Sequence, residues 1–155
     1  MAKTNAVRIL EANKIPHQIY EYVVNEDELD AVTVADKINA EHEQVFKTLL
    51  ARNESNQFFV FCIPGNFELD LKKAAKTSGS KKIEMIKVKE IFPLTGYIRG
   101  GCSPIGMKKL FPTYIDETAQ LFENIFISAG ARGQQIKISP NDLVKIIDAS
   151  FFDLI

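Results

Sequence analysis

Residues 44–64, QVFKTLLARNESNQFFVFCIP, carry the strongest structural signal in this chain of 155 residues. Two runs rich in apolar, β-branched and aromatic residues, 44–52 and 57–63, flank the turn-forming segment NESN. This pattern predicts two neighbouring strands joined by a turn. Lys47 lies in the middle of the first run, although lysine is seldom buried unless something needs its charge or its amine.

Lys47 has two interpretations that the strand pattern leaves open. On a strand it shares one face with Val45 and Leu49, so its neighbours are apolar in either case. At an edge of a sheet, the aliphatic stem would cover apolar surface while the ammonium group reaches water. In a partly desolvated pocket, burial would lower the pKa of the amine and a nearby anion would raise it again. There the cation could hold one phosphate or one carbonyl oxygen.

Short helices and strands are predicted in an irregular order on both sides of this pair of strands. Helices are expected at 4–14, 33–40, 69–79, 88–96 and 139–148. Further strands are expected at 17–24, 82–86, 113–122, 124–130 and 134–138. Because helices and strands do not alternate strictly, the pattern favours an α+β domain with a mixed or curled β-sheet. The length favours a single domain, residues 1–155.

Local signals set the expected ends of the helices. Thr33, with Asp36 three residues later, has the spacing of a capping box. Gly79 is the expected stop of the helix at 69–79, and Pro93 is expected to break the helix at 88–96. Ser139, followed by a proline, is the clearest N-cap in the chain.

The composition predicts a cytoplasmic protein without a membrane segment. Hydrophobic residues make up 46% of the chain, which supplies a core without disulfides, and there are two cysteines. The N-terminal residues carry charges within any apolar stretch, so no secretory signal is expected. No apolar run approaches the roughly 18 residues that a spanning helix needs.

The charges are segregated along the chain although the net charge is −1. Residues 1–71 carry 6 basic and 12 acidic residues, residues 72–109 carry 10 and 2, and residues 110–155 carry 3 and 6. A basic middle segment is typical of a surface that contacts phosphates. The alternative is that these lysines only solvate one helix and one loop.

Conventional catalytic signatures are missing from the sequence. A pair formed by Cys102 and His17 stays open, because sequence does not reveal spatial adjacency, while His42 lies in a polar turn. No spacing of cysteine and histidine typical of a metal site occurs, and no glycine-rich loop ends in GK[ST]. We therefore expect neither a metal nor a cofactor.

Two glycine-rich loops remain, RGGCSPIG at 99–106 and SAGARG at 128–133. Backbone N–H groups of such loops can hold a phosphate, or a carbonyl oxygen that gains negative charge. The alternative is that both loops are tight turns at strand ends, since glycine is the usual turn residue.

Several stretches resemble the YbaK/EbsC family, the bacterial trans-editing aminoacyl-tRNA deacylases. They are IPHQIYEY, VFKTLL, KKIEMI, LTGYIRGGCSPIG and ISAGARG, and they run through nearly the whole chain in order. Within the family the chain is most similar to the branch that removes cysteine from mischarged tRNA(Pro), rather than to the ProX branch that removes alanine. The resemblance implies a mixed β-sheet curled into an open barrel with helices around it.

The resemblance also places the family's functional positions on nine residues of this chain. The essential lysine falls on Lys47, and the glycines that surround the substrate's carbonyl fall on Gly100 and Gly101. The substrate-binding positions fall on Tyr20, Thr48, Ser103, Ser128, Gly130 and Arg132. One position departs from the family pattern, since Gln135 stands where some members carry an aspartate.

The implied substrate is an aminoacyl ester at the 3′ end of tRNA, attacked by the substrate's own thiol when the amino acid is cysteine. No protein cysteine is then required, and Cys102 would be incidental. Nothing in the basic segment recognises bases, so selection of tRNA(Pro) is expected to come from a partner. The resemblance implies that this partner is prolyl-tRNA synthetase. Two alternatives stay open: a deacylase for another misacylated tRNA, such as Ala- or Ser-tRNA, and a tRNA- or nucleotide-binding module without turnover.

Overall fold

A computed structural model describes residues 3–155, in which eight strands form two β-sheets. The strands are β1 (Gln18–Glu21), β2 (Phe46–Asn53), β3 (Phe58–Pro64), β4 (Ile83–Met85), β5 (Thr113–Asp116), β6 (Ile125–Ser128), β7 (Gln134–Ile138) and β8 (Ser150–Phe152). One sheet has the order β1-β7-β6, and the other has the order β4-β2-β3-β5-β8. The larger sheet mixes antiparallel pairs with the parallel pairs β3–β5 and β5–β8.

The helices are α1 (Asn5–Ala12), α2 (Ala31–Lys37), α3 (Leu71–Ser78), α4 (Val88–Thr95) and α5 (Pro140–Ile147), with two 3-10 helices at His42–Gln44 and Glu117–Leu121. Helices and strands mix as the α+β prediction requires, and that fold class is confirmed. None of the helices within residues 3–155 has the length and apolar character that crossing a bilayer demands. The predicted domain includes residues 1 and 2, which lie outside the described part of the chain.

The two sheets meet at a single parallel bridge between Val45 and Phe126. This contact joins the start of β2 to β6, whose other edge is already paired with β7. The sheets do not close on each other, so the structure is more open than the predicted curled barrel. The gap beside the start of β2 is where the candidate site lies.

The hairpin formed by β2 and β3 follows the sequence prediction closely. The strands pair antiparallel from Phe46 opposite Pro64 to Arg52 opposite Phe58. Asn53 closes the turn, because its side-chain oxygen accepts hydrogen bonds from the backbone N–H groups of Ser55 (3.0 Å) and Gln57 (2.9 Å). An asparagine that bonds its own backbone in this way is a common turn-former.

Helix ends agree with the prediction at α3 but not at α2. Gly79 ends α3 in the left-handed conformation at φ +68°, as expected. The N-cap of α2 is Asp30 rather than the predicted Thr33, whose backbone N–H (3.1 Å) and hydroxyl (2.8 Å) both donate to the Asp30 carboxylate. A carboxylate accepts both bonds at once, so the helix begins earlier than expected.

Two further predictions were wrong in extent. Pro93 lies inside α4 and does not break it. The helix ends two residues later, at Thr95. The predicted strand at 113–122 ends at Asp116, a fully buried carboxylate that accepts a hydrogen bond from the backbone N–H of Leu154 (2.9 Å). The chain turns into a 3-10 helix there, and the short strand β8 was not predicted at all.

Candidate active site

A cleft of about 520 Å³ opens between the start of β2, the segment before α2, and α4. Both strand residues and loop residues line it, including Lys47 and Thr48 from β2, Ile91 from α4, and Gly100 and Ser128 from the two glycine-rich loops. Strand, helix and loops thus supply walls of different chemistry. Apolar side chains with a few convergent polar groups are typical of a ligand site.

Lys47 is half-buried at the wall of this cleft. Burial lowers the pKa of its ammonium group, and the negative charge of Glu68 opposes part of that decrease. Lys47 forms no ion pair within residues 3–155. The structure therefore gives the second interpretation of this residue, a partly desolvated cation that faces a cavity, without a protein anion in contact.

The edge of β2 beside Lys47 is open. The backbone carbonyl of Val45 accepts a hydrogen bond from Gly65 N–H (2.8 Å), so the backbone groups of Val45 point towards β3. Backbone groups of residues two apart point to the same side of a strand, so those of Lys47 also point towards β3. The backbone N–H and carbonyl of Thr48, the next residue, point away from β3. On that side β4 pairs only with Ala51, Arg52 and Asn53. Within residues 3–155 the backbone N–H of Thr48 has no backbone partner, and Thr48 lines the cleft.

The two glycine-rich loops pack against each other. The Nε of Arg132 donates to the backbone carbonyl of Arg99 (2.9 Å), and a Cβ on Gly101 would lie 3.1 Å from the backbone nitrogen of Arg132. Gly101 N–H donates to the carbonyl of Ile98 (2.9 Å), whereas Gly100 N–H has no hydrogen bond within residues 3–155. Of the two predicted carbonyl-binding glycines, Gly100 is the one with a free donor at the cleft.

Tyr97 holds the loops together from behind. Its hydroxyl donates to the carbonyl of Ile105 (2.6 Å), and its ring lies so close to Gly130 that a Cβ there would be 2.8 Å from a ring carbon. Gly130 also has φ +98°, which side chains rarely adopt. Gly130 thus serves the packing of the loops and does not line the cleft.

The nine residues predicted for the site are only partly brought together. Lys47, Thr48, Gly100 and Ser128 line the cleft. The other five are not among the residues that line it: Gly101, Gly130, Arg132, Ser103 and Tyr20. Ser103 is fully buried, with a hydroxyl that accepts from the backbone of Ile105, and Tyr20 packs edge-on against Phe126 at 5.1 Å between ring centroids. The roles assigned to all nine stay predictions.

Gln135 is the unusual polar residue of the cleft wall. It lies on β7 between Tyr20 of β1 and Ser128 of β6, and only 6% of its surface is exposed. Its side-chain oxygen is buried and has no hydrogen-bond partner within residues 3–155. A buried acceptor without a partner costs free energy, so a donor from a bound water or ligand would stabilise this atom. The position that departs from the family pattern is thus part of the cleft.

The sequence analysis missed the other charged residues at the cleft. Arg99 comes from the first glycine-rich loop, and Glu26, Asp27 and Asp30 come from the segment before α2. This acidic segment, 26–30, carries no local signal of its position, because no periodicity places a loop beside a strand that is distant in sequence. Its proximity to Lys47 depends on the packing of α2, where Gly65 lets Ala31 come so close that a Cβ would be 2.2 Å away.

Cys102 lines the cleft but is not a ready nucleophile. Burial raises the pKa of its thiol to about 11, and it raises that of Cys62 to about 12, so both are neutral thiols near pH 7. His17 does not activate Cys102 by any hydrogen bond within residues 3–155, since its ring contacts the carbonyl of Ile15 at 2.8 Å. His42 pairs with Asp36 on the surface. The structure thus shows no activated Cys–His pair.

Comparison with known proteins shows the family to which this chain is similar. The sequence profile of the aminoacyl-tRNA editing domain matches residues 25–146. A candidate Cys-tRNA(Pro)/Cys-tRNA(Cys) deacylase of Enterococcus faecalis, EbsC, is 48% identical over 152 residues, which cover 98% of this chain and 93% of the relative.

Solved structures agree with this at the level of the fold. A candidate trans-editing enzyme for prolyl-tRNA synthetase superposes with a TM-score of 0.82 at 24% identity, covering 99% of this chain and 98% of that one. The hypothetical protein APE2540 superposes with a TM-score of 0.88 at 17% identity, covering 97% and 99%.

Proposed function

The chain belongs to the aminoacyl-tRNA editing domain family, and we propose that it is a trans-editing deacylase that removes cysteine from mischarged Cys-tRNA(Pro). The observation that carries the proposal is the 48% identity to the candidate cysteinyl-tRNA deacylase EbsC along nearly the whole chain. The cleft is consistent with this chemistry, because it combines a cation, free backbone donors and a buried acceptor without an activated nucleophile.

Lys47 anchors the 3′ end of the tRNA. A cation whose pKa is lowered by burial gains most from an anion or a carbonyl oxygen that enters the same partly desolvated space. The terminal adenosine with its phosphate supplies such oxygens. Arg99 lies on the same cleft and adds a second cation for the phosphate backbone.

Backbone donors polarise the ester carbonyl. Gly100 N–H and Thr48 N–H are both at the cleft and both free of protein partners by the hydrogen-bond pattern described above. Donors fixed in a partly water-excluded site stabilise developing negative charge on the carbonyl oxygen without reorganising during the reaction. An aminoacyl ester is already reactive, so positioning and this stabilisation supply most of the acceleration.

The thiol of the substrate is the nucleophile. Its sulfur forms a bond to the ester carbonyl carbon, the bond from that carbon to the tRNA 3′ oxygen breaks, and the proton of the thiol passes to the departing oxygen. The products are tRNA with a free 3′ hydroxyl and a cyclic thioester of cysteine. Cys102→Ala is therefore expected to keep activity, and loss of turnover in a folded variant would contradict this mechanism.

Gln135 and the acidic segment 26–30 receive the α-ammonium group of the substrate. An ammonium group is a donor without an acceptor, and the buried oxygen of Gln135 is an acceptor without a donor. Glu26 and Asp27 add negative charge at the same cleft. The amide thus takes over the contact that a carboxylate would make in relatives with an aspartate.

The tRNA contacts the basic segment 72–109, and selection of tRNA(Pro) comes from prolyl-tRNA synthetase. The contacts to phosphates are expected to weaken steeply with salt and to carry no base specificity. We place the reaction in the cytoplasm, where mischarged tRNA is produced.

Deacylation of a panel of mischarged tRNAs tests the proposal. Cys-tRNA(Pro) is expected to be hydrolysed faster than Ala-tRNA(Pro) and Ser-tRNA, and addition of prolyl-tRNA synthetase is expected to favour tRNA(Pro) over tRNA(Cys). A faster reaction with Ala- or Ser-tRNA would assign another specificity. No hydrolysis above the spontaneous rate would leave a binding module without turnover.

A further inference from the structure

The outer face of α4 is apolar although it is open to solvent. Val88 and Phe92 are 58% and 60% exposed, and their spacing of four residues places them side by side on one face of the helix. Val88 and Ile91 both line the cleft, so Phe92 stands at its rim. Two adjacent exposed apolar side chains beside a ligand site form a candidate contact surface.

Cations lie at both ends of α4, with Lys87 at its N-cap and Lys108 beside its last turn. Glu90 is the acidic residue of α4, and its charge is already engaged by an ion pair with Arg52. Lys108 is fixed at the other end, because its backbone N–H donates to the carbonyl of Thr95 (2.8 Å). The cations near this face form no ion pair within residues 3–155: Lys87, Lys89, Arg99, Lys108 and Lys109.

An exposed aromatic ring among unpaired cations is the arrangement that binds single-stranded nucleic acid. The cations follow the phosphates, and the ring stacks on a base whatever its identity. A protein partner would be expected to find a larger apolar patch with fewer cations. The position of Phe92 at the rim of the cleft supports this interpretation. If the last nucleotide of an RNA strand occupies the cleft, the preceding nucleotides must cross the rim.

We propose that the face of α4 formed by Val88 and Phe92 is a stacking platform for the unpaired nucleotides that precede the terminal adenosine of the tRNA. The proposal rests on the proposed function, because it assumes that the terminal nucleotide enters the cleft. Phe92 stacks on one of these bases, and the flanking lysines contact the phosphates on either side. The platform holds any tRNA with an unpaired 3′ end and does not select among them.

Two substrates separate the platform from the chemistry. One is Cys-tRNA(Pro), and the other is the cysteinyl ester of adenosine, which lacks the preceding nucleotides and cannot reach the platform. The measurement is the ratio of kcat/KM for the tRNA to kcat/KM for the nucleoside ester. We expect Phe92→Ala to lower this ratio about tenfold, Phe92→Leu to lower it nearly as much, and Phe92→Tyr to preserve it, since stacking requires a ring.

Phe152→Ala is the matched control. Phe152 is also an exposed phenylalanine, 40% open to solvent. It lies on β8, the edge strand of the larger sheet that is opposite β4. This variant is expected to keep the ratio. An unchanged ratio in Phe92→Ala would overturn the platform while leaving the proposed function intact.

Two further outcomes are informative. If Phe92→Ala loses activity only when prolyl-tRNA synthetase is present, the face docks a protein and the platform is wrong. If the wild-type protein hydrolyses neither substrate, the proposed function fails. The platform is then tested by measuring the affinity for uncharged tRNA. The wild type must then bind intact uncharged tRNA more tightly than tRNA that lacks its last three nucleotides, and Phe92→Ala must abolish that difference; equal affinities would overturn it.

Discussion

The two ends of β2 differ in how completely their polar groups are used. At the turn, the side chain of Asn53 makes four hydrogen bonds, which include contacts to Gln57 and to Ser80. At the other end, Lys47 has no ion pair, and the oxygen of Gln135 beside it has no partner within residues 3–155. The polar groups at the turn find their partners within the protein. The polar groups at the cleft are left for a ligand to bind. We expect substitutions at the turn to change stability and substitutions at the cleft to change activity.

The largest effect is expected at Lys47. Lys47→Ala removes the charge that is proposed to anchor the substrate and should lower kcat/KM by about 100-fold, because a hydrogen bond to a charged group is lost in a desolvated site. The melting temperature should stay close to that of the wild type, since no ion pair is broken. Lys47→Met, which keeps the apolar stem, should be equally inactive. A large decrease in melting temperature in both variants would show a packing role instead.

Gln135→Leu is expected to move activity and stability in opposite directions. It removes the acceptor for the α-ammonium group and should raise KM about tenfold, while removal of an unpaired buried oxygen should keep or raise the melting temperature. The isosteric variant Gln135→Glu keeps an acceptor and should retain low KM. Thermal unfolding and steady-state kinetics on the same samples check the signs. A Gln135→Leu variant with a lower melting temperature and an unchanged KM would show that Gln135 contributes to stability and not to substrate binding.

Asn53→Ala is the counterpart at the closed end. It leaves the N–H groups of Ser55 and Gln57 without their acceptor, which should cost about 2–3 kcal/mol of unfolding free energy. The melting temperature should fall by about 5–10 °C, with kcat/KM unchanged below the transition. Ser55→Ala, an exposed substitution in the same turn, is the control and should change neither quantity.

The smallest effect is expected at Glu68. In the proposed mechanism the ammonium form of Lys47 is the active form, so activity should fall as pH rises through a pKa that burial holds below the ordinary lysine value of 10.5. Glu68 raises that pKa, and Glu68→Gln should therefore move the alkaline decrease to lower pH. High salt should shrink the difference between the two proteins, because Glu68 is exposed. An alkaline limb that does not respond to Glu68→Gln would assign the titration to another group.

Local sequence rules explain the closed end of β2 better than the open end. The turn at Asn53 and the stop at Gly79 depend on neighbours within a few residues, and both follow from residue type. The N-cap at Asp30 was missed because two residues in the same stretch can cap, and tertiary packing of α2 decides between them. Strand β8 depends on the bond between Asp116 and Leu154, which no local pattern reveals.

The same limit applies to the site. Lys47 and Gly100 follow from an oddly placed charge and from a glycine-rich loop, both visible in the sequence. Gln135 lay in a strand with an ordinary pattern, and only the three-dimensional structure shows that its oxygen is unpartnered. Residues 26–30 reach the cleft through the contact of Gly65 with Ala31, which lies far along the chain. Long-range packing, rather than residue type, assembles this half of the cleft.

The contact of Tyr97 with Gly130 has a consequence for how such sites diverge. The ring occupies the space that any side chain at 130 would need, so neither position can change freely without the other. We therefore expect Tyr97, just before the first glycine-rich loop, and Gly130 of the second to tolerate substitution only together. A chimaera that takes one loop from a relative with a smaller residue at the position of Tyr97 would leave a void, and one that takes a larger residue at the position of Gly130 would force the loops apart. Transplanting a specificity between relatives then requires moving both loops together.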